Sequence, residues 1–437
     1  MYDRIKIMKN RILALTLASA VCACLIGGCG NGDRGSIIIL EKENEQTAKT
    51  SLSFYGHRTD RSSLLIIEDA LQSYMIDGRD AFYENAEEIE YWNSLDTRFR
   101  TNNLDDLFMI DRDRLLFMHD SLADLTDIID VNLYNEFTRS QLFSADGKIY
   151  AAPTGISTYG LYVNYDLLQK HGKPVPRNFS EFTEVCNYFA GQGIIPIISN
   201  NQTSLRSLII ARGMFGVYSS AETAKEIAKF NADPLLLTRP LNDGIDLVYT
   251  ILDNGWIDVE EAALTAHLSG DLDLFANGTR PFMVTGGWAS SSLKYSLKKQ
   301  DITLSYGIHA YPVLDSASVL VAQTDSLVSV KKGGNENEAK KLVSVLTHPQ
   351  TILELNENQS RFTVLNGHTQ INSDSAIIPS ASYLTKGKYV IGSDSNLSVP
   401  LDAILDKCVS SILKGRNADE VKAQLAGLLT AYKEDGK

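Results

Sequence analysis

The sequence predicts an α/β fold, and three observations support this prediction. Along residues 50–432, apolar stretches typical of buried strands alternate with stretches that repeat their apolar residues at the helical period. Hydrophobic residues make up 44% and charged residues 22% of the chain, which are the proportions of a globular protein. The chain has 437 residues and a mass of 48.2 kDa, enough for one large domain or two medium ones.

Residues 1–28 predict a secretory signal peptide. Basic residues precede an uncharged apolar run over residues 12–26. A transmembrane helix is the competing interpretation, but the run is of borderline length and ends in two glycines. Residues 26–29 (IGGC) resemble the lipobox of bacterial lipoproteins, which implies cleavage before Cys29 and lipidation of its thiol. Residues 29–50 would then form a lipid anchor and tether. An ordinary signal peptide with an incidental cysteine is the alternative.

The elements of the mature chain follow in order. Strands are predicted over residues 50–55, 148–153 and 193–198, and residues 161–168 predict a strand that runs into a helix. Ser180 is expected to cap the next helix, with Glu181 in its first turn. Helices with a clear apolar period are predicted over residues 62–74, 242–252, 337–346 and 418–432.

The charge of the chain excludes some partners. Lys and Arg number 41 and Asp and Glu number 54, which gives a net charge of -13. Removing residues 1–28 takes away four basic residues and one acidic residue, so the mature net charge is about -16. This balance argues against nucleic acid or an anionic membrane surface as the main partner. Cys186 and Cys408 are expected to be isolated, buried thiols.

The sequence contains no signature of catalysis or of a cofactor. A phosphate-binding loop, a dinucleotide-binding glycine motif and a serine nucleophile elbow are all absent from it. The seven histidines are scattered, without the spacing of a metal site. Acidic pairs such as Asp105 and Asp106 are interpreted as surface, and nothing singles out two carboxylates that could face each other across a sugar. We therefore predict a protein without catalytic residues, metal or cofactor.

Several segments together resemble a family. Residues 147–153 (GKIYAAP), 160–168 (GLYVNYDLL), 176–182 (PRNFSEF) and 271–288 (DLDLFANGTRPFMVTGGW) are similar to the extracellular solute-binding proteins of bacterial ABC importers. The similarity is to family 1, the carbohydrate-binding branch related to maltose-binding protein. The chain departs from the usual pattern at Asp105, Val163, Asn178 and Phe179.

The resemblance implies a two-lobed periplasmic-binding-protein type II fold, with a hinge and a ligand crevice between the lobes. It implies that lobe one comprises residues 36–153 plus 312–355 and lobe two residues 154–311 plus 356–437. It further implies a monomeric lipoprotein on the outer side of the cell membrane, which captures a sugar or oligosaccharide and delivers it to the permease subunits. The lipid anchor would be its contact with the membrane, and no nucleic acid partner is expected.

The resemblance also suggests ligand-binding residues. Trp288 follows two glycines, where a tryptophan often stacks on the ligand in the family; a core tryptophan is the alternative. The other candidates follow predicted strands or lobe crossings: Tyr55, His57, Asp106, Tyr159, Arg361 and Asn366. The alternative for each of them is a structural role, in capping a strand end, in an ion pair or in packing. Trp256 and Trp92 are expected to pack within the lobes.

Three other functions stay open at this point. The solute could instead be a polyamine, a peptide or a metal chelate, because acidic pairs and aromatic residues also suit a polycation. A secreted glycoside hydrolase or lyase would need two opposed carboxyl groups, one of them with a raised pKa. A sensor or adhesion lipoprotein could keep the fold without the transport role.

Overall fold

The structure, a computed structural model, describes residues 37–38, 51–76, 78–200, 203–264, 268–325, 327–367 and 374–435. The predicted signal peptide, Cys29 and nearly all of the predicted tether lie outside the described residues. In the part of the chain that is described, no helix is long and apolar enough to cross a membrane.

Strands and helices alternate along the chain. In chain order, the strands of the described residues are β1 (Ile37–Ile38), β2 (Leu52–Gly56), β3 (Ala81–Asn85), β4 (Leu107–Ile110), β5 (Gly155–Asn164), β6 (Ile197–Ile198), β7 (Phe282–Gly286), β8 (Tyr306–His309), β9 (Leu320–Asp325), β10 (Leu327–Val330) and β11 (Tyr389–Ile391). The first nine helices are α1 (Arg61–Met75), α2 (Glu88–Arg100), α3 (Arg112–Met118), α4 (Glu136–Arg139), α5 (Tyr165–Lys170), α6 (Phe179–Gly191), α7 (Ser204–Gly213), α8 (Phe215–Tyr218) and α9 (Thr223–Ala232). The later helices are α10 (Thr238–Asp253), α11 (Val259–Leu264), α12 (Leu268–Ala276), α13 (Ala289–Gln300), α14 (Glu336–Leu346), α15 (Pro349–Asn358), α16 (Ile378–Thr385), α17 (Leu401–Leu413) and α18 (Ala418–Asp435).

The first sheet has the strand order β1-β3-β2-β4-β10. Its centre is parallel, since β2 pairs in parallel with both β3 and β4, and the edge strands β1 and β10 run antiparallel. All four side chains of β4 are buried, as expected for a strand covered on both faces. Helices α1 and α14 pack against this sheet.

The second sheet has the order β11-β9-β5-β7-β6, with β8 also paired to β5. The ten-residue strand β5 is its centre and runs antiparallel to β7, β8 and β9. Every residue of β5 is buried. The largest buried side chain of this half is Trp256, whose indole Nε1 donates to Asn187 Oδ1 at 3.2 Å.

The chain passes between the sheets at three places. Ala152 pairs with Val328 beside the first sheet, and β5 then begins in the second. The return passage lies between β9 and β10. Residues 362–365 form the third passage, because Phe362 pairs with β5 while Leu365 pairs with Tyr134 of the first half.

This path of the chain differs from the boundary between the lobes that was predicted at residue 312. Strand β9 pairs with β5 over residues 321–325 and therefore belongs to the second sheet. Tyr311 pairs with Val319 ahead of it, which keeps the intervening loop in the same half. The predicted strand over residues 148–153 is an extended segment that forms a single bridge, between Ala152 and Val328 of β10.

The predicted helices are present, and local caps set the start of two of them. Helix α1 begins after Asp60, whose carboxylate accepts from the backbone N–H of Ser63 at 2.9 Å. Helix α6 begins at Phe179, and Asn178, not Ser180, caps it by accepting from Glu181 N. Helices α10, α14 and α18 cover the predicted segments. Cys186 and Cys408 are buried and free, as expected.

Candidate functional site

A large crevice lies between the two sheets. Its volume is about 1490 Å³, and both halves of the chain contribute to its walls. The first half supplies residues that follow β2 and β4, and the second supplies residues from β5, from β9 and from the turn after β7. Ligands of open α/β sheets bind at the carboxyl ends of strands, so the crevice is the candidate binding site.

Aromatic rings line the crevice from both sides. Trp288 lies just beyond β7, and its indole ring rests against Gly286. A side chain at Gly286 would collide with this ring, so the glycine is required for the position of Trp288. On the opposite wall, Trp92 packs edge-on against Tyr91 at a ring distance of 4.9 Å. Tyr159 of β5 lies between these walls, and Phe117 and Tyr295 are exposed at the rim.

His57 follows β2 at the bottom of the first wall. Its ring lies 5.3 Å from the rings of both Tyr91 and Trp92. Burial lowers the pKa of His57 well below its ordinary value, and the neighbouring Arg58 lowers it further. The imidazole is therefore neutral at neutral pH and can offer one donor and one acceptor to a solute.

Ion pairs hold two arginines in the walls. Arg114 contacts Asp96 at 2.7 Å, and its guanidinium also lies over the ring of Trp92 at 4.6 Å. Arg361 contacts Asp325 at 3.0 Å. Burial, followed by repulsion from Arg58, lowers the pKa of Arg361 to about 10.

A cluster of carboxylates around Arg206 joins the two halves; we call Arg206, Asp113, Asp402 and Asp406 the acidic corner. Arg206 contacts Asp406 at 2.7 Å and Asp402 at 3.5 Å. The carboxylate of Asp113, in α3 of the first half, accepts from the backbone N–H of Ala403 in the first turn of α17 at 2.7 Å. Burial and the nearby Asp402 raise the pKa of Asp113 to about 8.

Arg112 reaches across from the first half in a different way. Its Nη2 donates to Thr324 Oγ1 of β9 at 3.0 Å and to the backbone oxygen of Gln141. The residue is only 7% exposed, and its Nε has no hydrogen-bond partner in the described structure. Burial lowers the pKa of Arg112 to about 10.

The structure brings four of the predicted ligand-binding residues into the crevice: His57, Tyr159, Trp288 and Arg361. They come from separate parts of the chain: His57 and Trp288 follow strands β2 and β7, Tyr159 lies within β5, and Arg361 follows helix α15.

The other three predicted ligand-binding residues lie elsewhere. Tyr55 is buried in the first half, with Arg98 stacked 3.7 Å from its ring centroid. Asp106 precedes β4, so it lies at the amino end of that strand, away from the crevice, where it accepts from Ser53 N at 3.0 Å. Asn366 lies in an exposed turn, and its backbone N–H donates to Leu133 O.

Sequence reasoning missed several crevice residues. Trp92 lines the crevice as well as packing within the first half, and Arg112 and Arg206 line it without being among the predicted ligand-binding residues. The segment over residues 111–114 directly follows strand β4, so its position after a buried strand was the available signal. No comparable signal marks Arg206 or Asp402, which lie within or at the start of helices.

Nothing in the described part of the chain forms a metal centre. No group of three or more His, Cys, Asp or Glu side chains is placed to hold a metal ion among these residues. The crevice residues can stack on apolar faces, donate and accept hydrogen bonds, and pair with charges.

Solved structures share this architecture. A chitin oligosaccharide binding protein matches with a TM-score of 0.70 and 17% identity, covering 88% of this chain and 98% of its own. The protein SBP RafE in complex with raffinose matches with a TM-score of 0.67 and 16% identity, and the match covers 87% of this chain and 99% of that protein. A sugar transporter protein from Bacillus licheniformis in complex with stachyose matches with a TM-score of 0.65 and 16% identity. This match covers 86% of this chain and 98% of that protein. At these identities the likeness establishes the fold, which is the two-lobed periplasmic-binding-protein type with an interlobe crevice.

Sequence relatives agree with the fold. A binding protein of Brucella abortus (strain 2308) is 23% identical over 250 residues, which are 54% of this chain and 58% of the relative. The chain thus spans less than two thirds of the curated relatives that it matches. The family model described as bacterial extracellular solute-binding protein matches residues 83–376, well over half of the chain. This protein therefore belongs to the bacterial extracellular solute-binding proteins.

Proposed function

We propose that this protein captures a sugar or oligosaccharide in the crevice between its lobes and delivers it to the membrane permease of an ABC importer. The observation that carries this proposal is the crevice itself. It combines aromatic faces with charged hydrogen-bonding groups in a chain of an extracellular solute-binding family.

The lining of the crevice suits a saccharide. Sugar rings present apolar C–H faces that stack on aromatic side chains, and hydroxyl groups that need fixed polar partners. Trp288 and Trp92 offer such faces from opposite walls, with His57 and Gln323 beside them. A volume of about 1490 Å³ exceeds the roughly 300–1,000 Å³ of a site for a drug-sized ligand, which favours an oligosaccharide.

Structural neighbours support the same solute class. Their names record raffinose, stachyose and chitin oligosaccharides as ligands of those proteins. A polyamine is less suited to this crevice, because seven arginines line it alongside nine carboxylates, most of which are engaged by these arginines or by backbone groups. A polycation would have to compete with the arginines for those carboxylates.

We place the lobes according to the sheets. Lobe one would comprise residues 51–153 and 327–365, and lobe two residues 154–325 and 374–435. The three passages between the sheets would act as the hinge, and the solute would stabilise the closed arrangement through contacts with both lobes. The permease would read the closed state, and the protein would act as a monomer without chemical turnover.

The anchor is a separate part of the proposal. The IGGC segment supports lipidation of Cys29, which would hold the protein on the outer side of the cell membrane. Mass spectrometry of the N-terminal peptide from the full chain is expected to show a diacylglycerol adduct on Cys29. Cys29→Ser should move the protein from the membrane fraction to the soluble fraction. An unmodified, uncleaved N-terminus in the membrane fraction would contradict the anchor.

The binding function is tested by calorimetric titration and thermal shift with neutral and acidic oligosaccharides, polyamines and peptides. A solute that binds only the folded protein at one hundred times its Kd adds about 2.7 kcal/mol to the free energy of unfolding. We expect binding by one saccharide class. We expect Trp288→Ala to weaken it at least tenfold, since the variant loses the stacking face.

Phe143→Ala is the matched control, because Phe143 is an exposed aromatic residue that does not line the crevice. It should leave saccharide affinity unchanged. Binding of a polyamine or peptide without any saccharide would replace the solute and keep the transport role. Release of reducing ends from a bound oligosaccharide would contradict a binding function without turnover.

A further inference from the structure

Arg112 is placed as a cation of the crevice wall whose immediate partners are neutral. It begins α3 just after strand β4, and its side chain extends to β9 of the other lobe. Both groups that accept hydrogen bonds from it are uncharged: the hydroxyl of Thr324 and the backbone oxygen of Gln141. The residue is more than nine-tenths buried and lines the crevice.

Three other arginines of the crevice differ from Arg112. Arg114, Arg206 and Arg361 each contact at least one carboxylate. For Arg112, no carboxylate of the described residues lies within ion-pair distance. The acidic group that acts on it electrostatically is Asp394.

Asp394 is engaged by other groups. Its carboxylate accepts from Tyr218 OH at 2.9 Å, from Gln141 Nε2 at 3.0 Å and from the backbone N–H of Asn396 at 2.9 Å. The Asp394 carboxylate is therefore held in a hydrogen-bond network that does not include the guanidinium.

A buried guanidinium without a contacting anion is unfavourable, because burial removes its hydration and neutral oxygens replace only part of it. Its Nε–H has no acceptor in the described structure. A carboxylate could accept two parallel hydrogen bonds from an arginine, a geometry that a hydroxyl group cannot match. An anionic group of the solute beside the guanidinium would compensate this charge.

We infer that the solute is an acidic saccharide, and that Arg112 binds the carboxylate of a uronic-acid unit within the crevice. This inference rests on the proposed function and specifies its substrate class. The overall excess of acidic residues in the crevice does not oppose it. Asp96, Asp111, Asp325, Asp402 and Asp406 are all bound by arginines other than Arg112, so none of these carboxylates compensates its charge.

The test compares neutral trisaccharides with their oxidised counterparts, in which every sugar unit carries a carboxylate. Cellotriose and galactotriose are titrated against cellotriuronate and trigalacturonate, in which each C6 hydroxymethyl group is oxidised. We expect one of the uronates to bind at least tenfold more tightly than its neutral counterpart. Arg112→Gln should abolish this preference and weaken uronate binding at least thirtyfold.

Further variants separate a binding role from a structural one. Arg239→Gln removes the same charge from an exposed site outside the crevice and should leave uronate affinity unchanged. Arg112→Lys keeps the charge but loses the planar fork, so its loss should be intermediate. Thr324→Val removes one hydrogen-bond partner and retains the guanidinium, and it should keep the preference for the uronate. If Arg112→Gln does not fold, Thr324→Val and Arg112→Lys still test the role of Arg112.

The outcomes distinguish the inference from the function on which it rests. Equal or tighter binding of the neutral trisaccharides by the unmodified protein would overturn the inference and leave the saccharide-binding function in place. Loss of the uronate preference in both Thr324→Val and Arg112→Gln would also overturn it, because Arg112 would then only connect the lobes. Absence of binding by any saccharide, neutral or acidic, would contradict the proposed function itself.

Discussion

Arg112 and Arg206 line the same crevice, one from each half of the chain, yet their surroundings are opposite. Arg206 is held by Asp402 and Asp406, whose negative charges raise its pKa. Arg112 contacts only neutral oxygens, and burial lowers its pKa to about 10. The comparison indicates that the charge of Arg206 is compensated within the protein, whereas that of Arg112 is available to a solute. Three changes test this difference, in order of decreasing expected effect.

The largest effect is expected for Arg206→Met. Removing the guanidinium leaves Asp402 and Asp406 close together without their shared cation. Breaking a buried ion pair by removing one partner costs about 3–5 kcal/mol, and we expect about 3 kcal/mol because Asp406 is half exposed. Urea unfolding of the free protein measures this loss. A change below about 1 kcal/mol would show that the acidic corner is held by its other contacts.

The restoring variant for that experiment is Arg206→Met combined with Asp406→Asn. It removes one of the two carboxylates that Arg206 no longer compensates, so part of the lost free energy of unfolding should return. No recovery would mean that Arg206 stabilises the protein through packing and not through its charge.

The second effect is a pH dependence of the acidic corner. The pKa of Asp113 is raised from 3.8 to about 8, so the folded protein keeps a proton that the unfolded chain has lost. Stability therefore falls as pH rises towards 8 and levels off above it, by up to about 1 kcal/mol between pH 7 and 8. This window avoids His309, whose pKa is lowered to about 4 and whose protonation acts below about pH 6.5.

Asp113→Asn is the matched variant, because its side-chain oxygen can still accept from Ala403 N. Melting temperatures at pH 7 and pH 8.5 should differ less in this variant than in the unmodified protein. An equal or larger difference in Asp113→Asn would assign the pH dependence to other groups.

The smallest effect on stability is expected for Arg112→Met. Because the buried charge contacts no carboxylate, an apolar side chain of similar length should change the free energy of unfolding by less than about 1 kcal/mol. The same urea unfolding series measures it beside Arg206→Met. A loss as large as that of Arg206→Met would remove the contrast between the two arginines and identify Arg112 as a structural connection.

Much of the fold was predictable because its signals are local. The apolar periods of α1, α10, α14 and α18 reflect the faces that these helices bury, and a face is visible in one segment. Cap positions were less predictable, as Asn178 and Ser180 are both good caps separated by two residues. The strand expected over residues 148–153 did not form, since strand formation requires a partner that a single segment does not reveal.

The site was predictable only in part. His57 follows a strand and Trp288 follows two glycines, so both had local signals, and both line the crevice. Tyr55 and Asp106 also lie next to strands, but Tyr55 is buried within its lobe and Asp106 lies at the amino end of β4. Proximity to a strand therefore did not reveal which end or which face a side chain occupies.

By itself, the sequence determined the fold class, the lack of recognised catalytic motifs and the family resemblance, because these depend on periodicity and on short motifs. The tertiary structure decided which charges meet. Asp113 and Ala403 are 290 positions apart, and Arg112 and Thr324 are 212 apart. Such contacts depend on the packing of two sheets and on strand direction. No local pattern records them, so a compensated arginine and an uncompensated one look alike until the chain is folded.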